Sequence, residues 1–173
     1  MSTSANLLGL LGLLGLASGA CQGSMAEEQR ESAATCPDQV AASPLATPGD
    51  AVSFASDVLP VFERTCTFSA CHGSAQGSNN GVFLGTRGGG SDTGKVHAAL
   101  VGGTSSQLLS MRLVTPGDPD RSFLLRKLDG DTCALDAECV GGSCGQRMPR
   151  GSDALDGTER EIIRRWIANG APR

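Results

Sequence analysis

The chain has 173 residues, enough for one domain with tails. One Trp, five Phe, no Tyr and 24 Gly leave little large apolar side chain for a core, so the fold needs covalent help, which seven Cys can supply. A formal net charge of −4 and the lack of any basic run argue against nucleic acid as a partner class.

Residues 1–20 read as an export signal: the run "NLLGLLGLLGLASGA" is too short to span a bilayer as an ordinary helix and ends in small residues. Cys21 follows Ser18-Gly19-Ala20, as the acylated cysteine follows a lipobox. It is the candidate lipidation site of a lipoprotein, with plain signal-peptidase cleavage nearby as the alternative. Residues 22–50 are rich in Ala, Ser, Pro and acids without apolar periodicity, which predicts a flexible linker whose one notable residue is Cys36.

From residue 51 the pattern changes, and residues 51–173 read as the folded domain. Val58, Leu59, Phe62 and Cys66 recur at helical spacing, which predicts a helix over 56–66 capped by Ser56 or Asp57. A glycine-rich loop follows, interrupted by the apolar run Val82-Phe83-Leu84. "KVHAALVG" predicts a short helix stopped at Gly102-Gly103. Asp118 with Pro119 then opens a helical segment that buries Phe123, Leu124, Leu125 and Leu128. The clearest helix is the last. Asp156 and Glu159 form a capping box, Ile162, Ile163, Trp166 and Ile167 form the apolar stripe, and Gly170 and Pro172 end it. Short helices joined by long Gly-rich loops predict a small all-α domain, poorly filled by its own side chains, which a large planar cofactor would complete.

The chemistry centres on "CTFSACH", Cys66 to His72. Covalent haem attachment needs two thiols at one porphyrin edge and an imidazole that reaches the iron, as C-x-x-C-H provides. Here the cysteines are five positions apart, about 140° on a regular helix, so the two additional residues must bulge out for both sulfurs to meet one ring. Three chemistries compete: haem attachment, a Cys66–Cys71 disulfide with His72 merely nearby, and a zinc site. Export context and the adjacent Cys-His pair favour haem. Met148, before Pro149, is the candidate distal iron ligand, with His97 ranked below it. Setting aside Cys21, Cys66 and Cys71 leaves Cys36, Cys133, Cys139 and Cys144, which allow three connectivities. "CALDAECVGGSC" is expected to form a disulfide-pinned loop leading to Met148.

In order, the segments "DVLPVFERTC", "CTFSACHG", "TPGDPDRSFLLRKL", Met148-Pro149 and "WIANGAP" resemble exported bacterial proteins with a cytochrome c-like domain, many of them predicted lipoproteins. The resemblance covers residues 51–173 and departs from the pattern in its longer Cys–Cys spacing and the inserted "DTCALDAECVGGSC". It implies haem c thioether-linked to Cys66 and Cys71, with His72 as proximal and Met148 as distal ligand. The expected function is single-electron transfer to redox partner proteins in the periplasm or at the outer membrane. No Ser-His-Asp set, phosphate-binding glycine motif or carboxylate pair stands out, so an electron carrier rather than an enzyme is expected. The alternative is a haem-free, disulfide-stabilised secreted structural or interaction module on the same scaffold.

Overall fold

The computed structural model describes residues 35–41, 51–76 and 79–173. The predicted signal, Cys21 and most of the 22–50 stretch lie outside the described residues. Within them the chain is helical and has no strand, as an all-α domain requires; Thr104 and Arg112 make one isolated bridge.

Helix α1 (Leu59–Thr65) is preceded by a wider, π-type turn over Phe54–Val58. The cap is Ser53, not the expected Ser56 or Asp57. Its hydroxyl accepts the Ser56 N–H at 3.3 Å, while the Asp57 carboxylate accepts the Ser53 N–H at 2.7 Å. This reciprocal pair starts the helical path three residues early. Pro60 then falls in the first turn of α1, directly after the π-type turn. Helix α2 (Thr93–Gly102) is capped by Asp92, and α3 (Phe123–Asp129) follows a single 3-10 turn, Pro119–Arg121, capped by Asp118. Helix α4 (Gly157–Ala168) starts at Asp156, whose carboxylate accepts the Glu159 N–H at 2.8 Å. The other half of the expected capping box is replaced, because the Glu159 carboxylate pairs with Arg64 of α1 at 2.8 Å.

The core gathers around Trp166, Phe54, Phe62, Val96, Leu125 and Ile163, all 3 % exposed or less. Trp166 and Phe54 pack with ring centroids 5.1 Å apart, and the indole N–H donates to the Pro172 carbonyl at 2.7 Å. A smaller cluster forms around Leu108, Phe123, Cys139 and Cys144. Helices α3 and α4 are also joined by charge. Asp129, buried, accepts from Arg160 at 2.8 Å and from Arg164. Removing one member of such a buried group strands the others, so the trio fixes how the two helices meet.

Two disulfides complete the domain, Cys36–Cys133 and Cys139–Cys144, with Cα–Cα distances of 5.7 Å and 5.3 Å. The first ties residues 35–41, from the stretch read as linker, onto the end of α3, where the Val40 N–H donates to the Asp129 carbonyl at 2.9 Å. Gly130, which ends α3 at φ 74°, makes room for this segment: a Cβ there would sit 2.4 Å from the Asp38 carbonyl oxygen. Residues Ala34–Arg173 form one compact unit. No helix among the described residues is long and apolar enough to cross a membrane.

Candidate functional site

Helix α1 delivers Cys66 as its C-terminal cap, with the Cys66 N–H donating to the Phe62 carbonyl at 2.8 Å. Beyond it the chain leaves the helix. Thr67, buried, anchors the exit by donating its hydroxyl to the Glu63 carbonyl at 2.7 Å. Phe68, Ser69 and Ala70 are exposed, and Cys71 and His72 turn back inward. The turn is closed by three backbone bonds: Cys71 N–H to Phe68 carbonyl at 2.8 Å, His72 N–H to Cys66 carbonyl at 3.1 Å, and Gly73 N–H to Phe68 carbonyl at 3.2 Å. The His72 bond spans the whole motif and returns the imidazole to the side of the first cysteine. Gly73 allows the closure, since a Cβ on it would lie 2.1 Å from the Thr67 carbonyl oxygen. The segment between the two cysteines therefore faces outward, and it carries Phe68, whose ring stacks under the Arg87 guanidinium at 3.7 Å.

His72 is held from both its backbone and its ring by the Val82–Leu84 run. The Leu84 N–H donates to the His72 carbonyl at 3.0 Å. The ring Nδ1 lies 2.8 Å from the Val82 carbonyl. A carbonyl only accepts, so Nδ1 carries the proton and Nε2 is left with the lone pair in the neutral ring. This carbonyl-anchored imidazole is the arrangement that fixes the tautomer of metal-binding histidines.

Cys66 and Cys71 are free thiols, whereas every other cysteine among the described residues is bonded. Burial pushes the Cys66 thiol above its ordinary pKa; a hydrogen-bond contact with Thr65, 3.3 Å from Sγ, partly opposes this, and the nearby Cys71 adds to the rise. As a neutral thiol, Cys66 is a poor nucleophile at neutral pH unless something deprotonates it.

Cys66, Cys71, His72 and Met148 all line a single cavity of about 690 Å³. It lies where the two hydrophobic clusters meet, with Phe62, Leu84 and Leu128 from the larger and Leu113 and Phe123 from the smaller. A volume in this range suits a ligand of cofactor size, since such cavities run to about 300–1,000 Å³. Met148 reaches it from the loop before α4, its N–H donating to the Lys127 carbonyl at 2.7 Å, with a cis peptide to Pro149. The expected pinned loop is present in part: Cys139–Cys144 closes it, while Cys133 pairs outside it with Cys36.

His97 lies elsewhere. It packs edge-on to Phe54 and Trp166, and its Nε2–H donates to the Ala171 carbonyl at 2.8 Å, so it serves the core. A zinc site would need further ligands beside Cys66, Cys71 and His72, and among the described residues no group of three or more His, Cys, Asp and Glu is gathered for a metal ion. Sequence reasoning missed the polar part of the lining: Lys127, Gln107, Gln146 and Arg150. For Lys127 the signal was there, because Leu124, Lys127 and Leu128 share one face of α3 and all three line the cavity.

No family model, curated protein or solved structure matches this chain.

Proposed function

We propose that the chain is an exported monohaem c-type cytochrome that carries single electrons between partner proteins. One observation carries the reading: the two thiols left unpaired, the histidine that follows the second, and the downstream methionine border one cofactor-sized cavity. Cys66 and Cys71 would hold haem c through thioethers, His72 would ligate the iron through Nε2, and Met148 through its sulfur. When bound, haem supplies a one-electron iron couple, and Met/His ligation favours a high potential. The Val82 carbonyl aims the imidazole by holding the Nδ1 proton. Phe62, Leu84, Leu113 and Leu128 give the cavity an apolar lining against which the porphyrin would pack. Two disulfides fit an oxidising, exported setting. A lipid on Cys21 belongs to the same reading and would hold the protein at the outer membrane or in the periplasm.

The test is to express the full chain with export and haem-attachment machinery and record the visible spectrum and intact mass. A Soret band that survives denaturation, with the mass of one added haem, is expected. His72→Ala should abolish the low-spin spectrum, and His97→Ala should leave it unchanged. Absence of added mass, with Cys66 bonded to Cys71 in peptide maps, overturns the reading in favour of a haem-free module.

A further inference from the structure

Lys127 is only 6 % exposed and lines the cavity. Its ammonium donates to the carbonyls of Cys144, at 2.8 Å, and Gln146. It forms no ion pair with any described carboxylate. The acid whose charge reaches it, Asp136, is turned to the Cys144 N–H at 2.6 Å. A buried ammonium is costly without an anion, and two carbonyl acceptors leave its third N–H uncommitted. A second donor converges on the same place. A point one bond out from the Gly145 backbone lies 3.5 Å from Lys127 Nζ and 3.0 Å from Gln107 Nε2, and both side chains line the cavity. Arg150, exposed on the same lining, uses Nε on the Gln146 side chain at 3.0 Å, which orients its guanidinium and leaves its outer nitrogens available.

We propose that Lys127, supported by Gln107 and Arg150, forms a carboxylate-binding site within this cavity, and that it takes a propionate of the haem. The proposal rests on the haem reading for its ligand. It adds an orientation: the cofactor enters with a carboxylate toward the Gly145–Arg150 loop and its reactive vinyl edge toward Cys66 and Cys71. Lys127 thereby acts as a positioning residue, and the thiols themselves need not select the ring's direction.

The experiment compares haemin with its dimethyl ester, which differ only in the two carboxylates. The full chain carrying Cys66→Ala and Cys71→Ala serves as parent, so that association is reversible and is read by absorbance titration. The parent should bind haemin about tenfold or more tightly than the ester, as a charge-assisted hydrogen bond in a buried site implies. Lys127→Gln should reduce that preference to under about threefold with ester affinity unchanged, and Lys127→Arg should retain most of it. Arg150→Gln, at an exposed position that does not threaten folding, should lower the preference and provides the readout if Lys127→Gln loses its far-ultraviolet circular dichroism. Equal affinity of the parent for both porphyrins, or a preference unmoved by the Lys127 and Arg150 variants, overturns the carboxylate site while leaving haem binding standing. Binding of neither porphyrin by the folded parent overturns the carboxylate site, and the haem reading then stands or falls on the mass and spectrum of the chain with both cysteines.

Discussion

Replacing each disulfide in turn by a serine pair separates global stability from the integrity of the site. Cys36–Cys133 spans 97 positions and Cys139–Cys144 spans 5. Loop-closure entropy scales with the logarithm of the closed loop, so the first bond should contribute about 4.7 kcal/mol and the second about 2 kcal/mol. Their positions predict the opposite ranking at the cavity. The Cys36 segment packs on the end of α3 and lines no part of the cavity. Cys139–Cys144 fixes the carbonyl that accepts from the Lys127 ammonium, and the backbone carbonyl of Lys127 accepts the Met148 N–H. Guanidinium unfolding, followed by circular dichroism, should show the larger loss for Cys36→Ser with Cys133→Ser. Haemin titration of both variants, under conditions where each is folded, should show the larger loss for Cys139→Ser with Cys144→Ser. If one variant is worse in both assays by the same proportion, stability and site are a single property and the reasoning fails.

Three further outcomes are expected. Gly73→Ala should destabilise the protein by about 2 kcal/mol or more and block haem attachment, because its methyl would be 2.1 Å from the Thr67 oxygen; unchanged melting and loading would show that the turn can relax. Asp129→Asn should cost about 3–5 kcal/mol in denaturant titrations, since Arg160 and Arg164 lose their shared carboxylate; a loss under about 1 kcal/mol would mean that the trio adds little. Burial lowers the Lys127 ammonium from 10.5 to about 8, so between those values the unfolded chain binds a proton that the native state has shed. Haem-free protein should therefore gain stability relative to Lys127→Met as pH rises from about 8 to about 10.5, and a pH-independent difference between the two would refute the shift.

The helices were legible because their signals are local. Asp156 caps α4 and the Ile–Trp stripe is buried, as the 3.6-residue period requires. The start of α1 was misplaced because Ser53 and Asp57 cap each other across a π-type turn, a contact that no periodicity reports. Glu159 matched a capping box by spacing, but an arginine on another helix holds its carboxylate. The grouping of Cys66, Cys71, His72 and Met148 on one cavity was expected from their residue types, whereas the disulfide connectivity depended on tertiary proximity. Lys127 shares its helix face with Leu124 and Leu128, which the spacing does report, but that its ammonium is buried follows only from the carbonyls of Cys144 and Gln146 that accept from it.

The Cys36–Cys133 bond also shortens a leash. Were residues 22–50 wholly free, a domain beginning at residue 51 could stand about 100 Å from a lipid on Cys21, at the full extension of about 3.6 Å per residue. With Cys36 fixed to the domain, the contour length between positions 21 and 36 sets the limit, about 50 Å. On the proposed reading, with a lipid at Cys21, the domain would be held within that distance of the membrane surface. Chain length alone suggests twice the range that the cross-link permits.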